Sequence, residues 1–130
     1  MKSKRILVTG GRDNYDWKTV EFVFDMARKD GEIDRGDILV HGAASGIDSI
    51  CAMYWIYYGM GRENIEAHPA QWKVDGKFDP TAGHKRNQEM VDSGIDLAFA
   101  FKGGTGTEDA VRRITRAGIP LKDYRSLWSY

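Results

Sequence analysis

Residues 97–111, LAFAFKGGTGTEDAV, contain the change of pattern that decides the fold. Five apolar residues give way to three glycines within four positions, and apolar residues then recur at helical spacing, at Ala110, Val111 and Ile114. This order predicts a buried strand, a tight loop and the start of a helix. Glycines let the backbone approach an anion, and the first amides of a helix donate where the helix dipole is positive. The stretch predicts a phosphate-binding loop; the alternative is an ordinary strand-to-helix turn.

The same alternation recurs along the chain. Apolar runs at residues 5–9, 38–41 and 65–68 have the composition of buried strands, and residues 118–121 predict a last short strand. Stretches of helical periodicity separate them. Strands that alternate with helices favour right-handed crossovers and a parallel sheet. The predicted fold class is therefore α/β, a Rossmann-like, doubly wound parallel sheet of about five strands with helices on both faces. Residues 1–130 are expected to form one domain.

Composition limits the possible partners. The chain has 19 basic and 19 acidic side chains, so no global field attracts it to a polyanion, and nucleic acid is an unlikely partner. The single cysteine, Cys51, lies in an apolar helical pattern, which predicts a buried thiol. No metal-ligand spacing is present, so neither a metal nor a cofactor is predicted. No apolar run approaches the roughly 18 residues of a membrane span and no signal peptide is visible, so we expect a cytoplasmic protein without a membrane partner.

Three glycine-bearing loops follow predicted strands. They are residues 10–11, 42–46 and 103–106. Ligands of doubly wound sheets bind beyond the carboxyl ends of the strands, where the strand order switches, so these loops are expected to converge. Arg12 is a candidate cation for the anion, and Asp48, in the first turn of a helix, is a candidate acceptor from a ribose hydroxyl or a base edge. The alternatives are a solvated arginine and a carboxylate that only complements the helix dipole.

Two further segments are expected near the site. Residues 70–83 are polar, contain glycine and proline, and lack a period, which predicts a flap with Trp72 and Phe78 either as base-stacking platforms or as anchors into the core. The next helix begins with Lys85 and Arg86, against the dipole preference, so these cations are expected to meet an external negative charge; a solvated basic turn is the alternative.

Two aromatic-rich parts of the chain are candidates for contacts elsewhere. Residues 123–130, with Trp128 and Tyr130, are expected either on the sheet edge or at a subunit contact. The helix that contains Tyr54 and Tyr58 is expected to belong to the core or to an interface between copies of the chain.

The ordered blocks together resemble a known family. They are VTGGRD at 8–13, HGAASGID at 41–48, PAQW at 69–72, RNQEM at 86–90 and GGTGT at 103–107. The chain is similar, over residues 6–120, to the YspA/YpsA-related branch of the SLOG superfamily. That superfamily includes the Lonely Guy phosphoribohydrolases, single-strand-binding proteins of DNA uptake and sensor domains for nucleotide signals such as ADP-ribose derivatives. The resemblance implies a Rossmann-like nucleotide-binding domain, and family members commonly form dimers, so a homodimer or higher homo-oligomer is expected.

The same resemblance bears on catalysis. Lonely Guy enzymes have an Arg-x-x-x-Met block, which Arg86 and Met90 match, and a glycine-rich block that ends in a catalytic glutamate. Here Lys102 stands at the proline position of that second block and Ala110 at the glutamate position. Alanine supplies no carboxylate to an oxocarbenium-like transition state, so hydrolysis is disfavoured. If the protein were an enzyme, the catalytic candidates would be Arg86, Asp109 and Glu108.

The leading functional prediction is binding of a small phosphorylated nucleoside, a mononucleotide or an ADP-ribose derivative, by a sensor or sequestering protein. The rival is a nucleoside 5′-monophosphate phosphoribohydrolase, and a third possibility is single-stranded nucleic-acid binding. The candidate ligand-binding residues are Gly10, Gly11, Arg12, Gly42, Asp48, Trp72, Arg86, Asn87, Gly103, Gly104, Thr105, Gly106 and Thr107.

Overall fold

The computed structural model describes residues 2–129. Its strands are β1 (Arg5–Thr9), β2 (Ile38–His41), β3 (Ile65–Ala67), β4 (Lys73–Val74), β5 (Lys77–Phe78), β6 (Leu97–Phe101) and β7 (Leu121–Tyr124). Its α-helices are α1 (Trp17–Lys29), α2 (Ile47–Tyr57), α3 (Ala82–Asp92) and α4 (Thr105–Arg116), and a short 3-10 helix, Arg62–Asn64, precedes β3. Five strands form one parallel sheet in the order β3-β2-β1-β6-β7. The predicted Rossmann-like arrangement is confirmed.

Helices cover both faces of the sheet because its central strands carry apolar side chains on both faces. In β1, Ile6 and Val8 face a core that includes Phe24 of α1 and Trp55 of α2, whereas Leu7 faces the opposite core with Ile114 of α4. Helices α1 and α2 therefore cover one face, and α3 and α4 cover the other. This explains why the strands show no alternation of polar and apolar residues.

The strand order creates a crevice between β1 and β6. From β1 the chain moves outward through β2 and β3 and then returns to place β6 on the other side of β1. The connections after β1 and β6 consequently leave the sheet toward opposite faces, which is the switch point at which such sheets bind ligands. A hydrogen bond of 2.9 Å from the Gly11 amide to the Lys102 carbonyl ties the two loops together.

The last strand begins later than predicted. Residues 118–121 were expected to form it, but β7 is Leu121–Tyr124. Gly118 has a φ of 73° and ends α4, and Pro120 has no amide hydrogen for a strand ladder. Only its carbonyl takes part, accepting from the Ala98 amide at 2.9 Å.

Residues 70–83, which show no period in the sequence and were expected to form a flap, contain an antiparallel hairpin of β4 and β5. Asp75 and Gly76, with φ of 52° and 76°, form its two-residue turn. An Asp-Gly pair between short strands is a strong hairpin signal. The rings of Trp72 and Phe78 stack nearly parallel with centroids 6.0 Å apart. Both are exposed, so the alternative that they anchor in the core is wrong.

Helix α2 divides its aromatic residues between core and surface. Tyr54 and Trp55 are buried, so these two residues cannot form a contact between copies of the chain. Tyr57, by contrast, is 76% exposed. Cys51 is buried as predicted, and burial raises the pKa of its thiol. None of the described helices is long and apolar enough to cross a membrane.

Candidate functional site

A cleft of about 720 Å³ opens at the carboxyl ends of the central strands. It lies at the switch point and falls within the size range of small-molecule sites, about 300–1,000 Å³. The loops after β1, β2 and β6 and the start of α3 form its walls. All thirteen candidate ligand-binding residues lie along this cleft, whereas Glu108 and Asp109 do not.

The amino terminus of α4 faces the cleft with free donors. Gly104 is the N-cap residue, and no side chain caps this end of the helix within residues 2–129. The first helical bond there is from the Glu108 amide to the Gly104 carbonyl, at 3.1 Å, which leaves the amides of Thr105, Gly106 and Thr107 without a protein acceptor in the described chain. Unpaired amides at the positive end of a helix dipole form an anion-binding site.

The glycines of the phosphate-loop stretch have two different roles. A Cβ at Gly104 or Gly106 would meet no atom within 4 Å, so these residues leave bare backbone open to the cleft. A Cβ at Gly103 would lie 2.7 Å from the Gly11 amide nitrogen, and one at Gly11 would lie 3.1 Å from the Gly103 Cα. Gly11 and Gly103 therefore allow two loops to pack against each other.

Arg86 of α3 crosses the cleft to the loop after β2. Its Nη1 donates to the Gly42 carbonyl, and its Nε donates to Asn87 Oδ1 at 3.0 Å. A Cβ at Gly42 would lie 2.7 Å from the Arg86 Cζ, so glycine is required for this approach. Burial lowers the pKa of Arg86, Asp48 opposes that change and the charge of Arg12 adds to it. Two arginines near each other at the cleft favour an anion between them.

Lys85 does not share this role. It forms an ion pair of 2.7 Å with Asp79, and that hydrogen bond contributes most to lowering the pKa of Asp79 to about 2. The expectation that Lys85 meets an external charge is therefore wrong, because the partner is in the protein. Of the two cations at the start of α3, Arg86 alone lines the cleft.

Asp48 holds the loop after β2. Only 6% of the residue is exposed, and its Oδ2 accepts from the amides of Gly42 at 3.1 Å and Ala44 at 3.2 Å. Burial raises the pKa of Asp48 to about 6, against the opposing effects of the Ala44 amide and the Arg86 charge. Its carboxylate therefore does more than complement the helix dipole, since it fixes the loop whose Gly42 carbonyl receives Arg86.

Asp109 belongs to the interface between α3 and α4. It is 4% exposed and its Oδ2 accepts from Arg113 Nε at 2.9 Å and Asn87 Nδ2 at 3.0 Å. Burial alone would raise the pKa of Asp109, but these hydrogen bonds and the nearby positive charges lower it overall. Glu108 is exposed outside the cleft, and Ala110 is buried. Neither alternative carboxylate faces the place where a ligand would lie.

Several residues that line the cleft were not among the thirteen ligand-binding candidates. His84, at the start of α3, lines the cleft, and Lys102 borders the glycine loop. Trp128 and Ser129 also line it, although their segment was expected on the sheet edge or at a subunit contact. Tyr130 lies outside the described residues. No local pattern reveals the position of Trp128, because it depends on how the chain turns back after β7.

Comparisons with known proteins bear on the fold. No protein-family model and no curated protein matches the sequence. Among solved structures, the X-ray structure of TM1055, a structural genomics target, matches 91% of this chain and 72% of its own at a TM-score of 0.61 and 13% identity. The C-terminal domain of PF1911 hydrogenase from Pyrococcus furiosus matches 95% of this chain and 93% of its own, at a TM-score of 0.49 and 14% identity. At this identity, the likeness to TM1055 shows a shared fold alone.

Proposed function

We propose that this chain is a nucleotide-binding domain of the SLOG type that binds a small phosphorylated nucleoside, a mononucleotide or an ADP-ribose derivative, as a sensor or sequestering protein. The observation that carries the proposal is the uncapped start of α4, where three free amides lie beside Gly104 and Gly106. These amides would donate hydrogen bonds to the phosphate oxygens, and Arg86 would pair with the phosphate charge.

The rest of the cleft suits a nucleoside. Trp72 is 39% exposed, lines the cleft and is supported from behind by Phe78, so it offers a flat surface for a base. Asp48 would accept from a ribose hydroxyl or a base edge while it holds its loop. A neutral chain that binds through one such local site needs no general basic surface.

The test is isothermal titration with AMP and ADP-ribose, with adenosine as the ligand that lacks phosphate. We expect binding of AMP, ADP-ribose or both, and none of adenosine. Gly104→Val should abolish binding without unfolding the protein, because Gly104 has an extended backbone and open space around it. Thr115→Val, on the exposed part of the same helix, is the matched control. Equal binding by Gly104→Val and the control would refute the proposed phosphate site.

The rival function is cleavage of the N-glycosidic bond of a nucleoside monophosphate. The position of Arg86 in the cleft, within the block that resembles the Arg-x-x-x-Met block of Lonely Guy enzymes, favours it. The positions of Glu108, Asp109 and Ala110 oppose it, because none brings a carboxylate to the cleft. Incubation with a panel of nucleoside monophosphates, followed by chromatography for free base, distinguishes the two functions.

A further inference from the structure

The segment that follows β7 turns back toward the cleft. The Leu127 amide donates to the Tyr124 carbonyl at 3.0 Å, and two residues later the Ser129 amide donates to Asp16 Oδ2 at 2.6 Å. The Ser129 hydroxyl donates to the other carboxylate oxygen of Asp16. Between these attachments, the Trp128 ring lies under the Lys102 ammonium, with 4.3 Å from Nζ to the ring centroid. We call residues 127–129 the strap.

The attachment at Asp16 lies at the start of α1. Asp16 is the N-cap of α1 and also accepts from the Thr19 amide and hydroxyl, at 3.2 and 2.6 Å. Burial would raise the pKa of Asp16, but the hydrogen bonds from Ser129 and Thr19 lower it overall, so the carboxylate stays ionised. Charge-assisted hydrogen bonds are stronger than neutral ones. The strap is therefore anchored to a well-held residue.

The strap forms one side of the cleft, opposite the hairpin. Its anchor, Asp16, begins α1, which lies on one face of the sheet, whereas Trp72 packs against Gly83 in α3, on the other face. Trp128 and Trp72 thus border the cleft from opposite faces of the sheet. The cleft holds about 720 Å³ with the strap in this position. The strap is consequently a wall of the site and leaves room for a ligand.

Lys102 is the residue that the strap positions. Its carbonyl is fixed by the Gly11 amide and by Asn14 Nδ2, both at 2.9 Å, and it directly precedes Gly103 of the phosphate loop. Its ammonium rests on the Trp128 ring. A cation–π contact uses the charge of the ammonium and involves no hydrogen-bond acceptor. The N–H groups of the ammonium therefore remain available to donate to phosphate oxygens. Trp128 therefore holds a cation beside the start of α4.

We propose that the strap forms one wall of the nucleotide cleft and that Trp128 positions Lys102 to bind the phosphate, together with Arg86 and the amides of α4. This inference rests on the proposed function, because it assumes a phosphate in the cleft. It assigns the phosphate a cation that stands at the proline position of the Lonely Guy block. It also gives the residues after β7 a part in binding.

The first test measures AMP affinity by titration. Trp128→Ala should weaken it about five- to tenfold, in line with a partly desolvated cation–π contact. Trp17→Ala is the matched control, since Trp17 also carries a lysine, Lys18, at 5.8 Å but lies outside the cleft. Lys102→Met should weaken binding at least as much, and the double variant should lose no more than Lys102→Met alone. Unchanged affinity in Trp128→Ala, or fully additive losses, would overturn the positioning role.

A second measurement separates the strap from the proposed function. Amide hydrogen exchange in the ligand-free protein should show protection of the Ser129 amide, which is lost in Trp128→Ala and retained in Trp17→Ala. If the wild type binds neither AMP nor ADP-ribose, the proposed function fails, whatever the exchange shows. If it binds AMP but Ser129 exchanges at the unprotected rate, the strap is refuted and the phosphate site stands.

Discussion

Replacing Gly106 by alanine should stabilise the protein and weaken ligand binding at the same time. Gly106 is the second residue of α4, and a Cβ there would meet no protein atom within 4 Å. Alanine in place of glycine in a helix contributes about 0.5–1 kcal/mol, and we expect the lower value in a first turn. That corresponds to a rise of about 2 °C in the melting temperature for a chain of this size.

The same methyl group would stand where a phosphate oxygen must approach the helix amides. Loss of one hydrogen bond to a charged group costs about 1.5–3 kcal/mol, so AMP affinity should fall at least about tenfold. Thermal unfolding and titration calorimetry on one protein preparation measure both effects. Thr115→Ala, on the exposed face of the same helix, should give a similar gain in stability without a change in affinity. Unaltered AMP affinity in Gly106→Ala, or a clear loss of stability, would refute this account of the α4 terminus.

Three further predictions concern stability. Gly103→Ala should lower the free energy of unfolding by about 1–3 kcal/mol, measured by urea unfolding, because the added Cβ would press on the Gly11 amide. Gly104→Ala should be nearly neutral, because a Cβ there meets open space. Equal losses in the two variants would contradict the two glycine roles. Asp48→Asn should stabilise the protein by up to about 3 kcal/mol above pH 6, with the gain disappearing below about pH 4. The sign follows because the native pKa of Asp48 is raised, so the folded state binds more protons than the unfolded state between about pH 4 and pH 6. The wild type therefore loses stability as the pH rises through this range. A gain in the variant that does not vary with pH would disprove this prediction. Asp109→Asn should lower stability by about 2 kcal/mol while AMP affinity is retained, because the carboxylate bonds Arg113 and lies outside the cleft; a selective loss of AMP binding would instead support a role for Asp109 in the site.

The sequence by itself determined the fold class and the neighbourhood of the site. Apolar runs such as residues 5–9 and 97–101 require cover on both faces, and strands that end in glycine loops and continue into helices leave little choice but a parallel, doubly wound sheet. Parallel strands end at the same edge, so the loops at residues 10–11, 42–46 and 103–106 had to come together. These are local patterns, and local patterns are visible in one sequence.

Only the tertiary structure decided which side chains serve the site and which serve the fold. Lys85 and Arg86 are adjacent in sequence, but one meets Asp79 and the other crosses to Gly42. Asp109 is bound by Arg113 and Asn87, and Trp128 returns to Lys102 from a segment that has no periodicity of its own. Such roles depend on contacts between residues far apart in the chain, and the direction of a side chain follows from packing that no local pattern records.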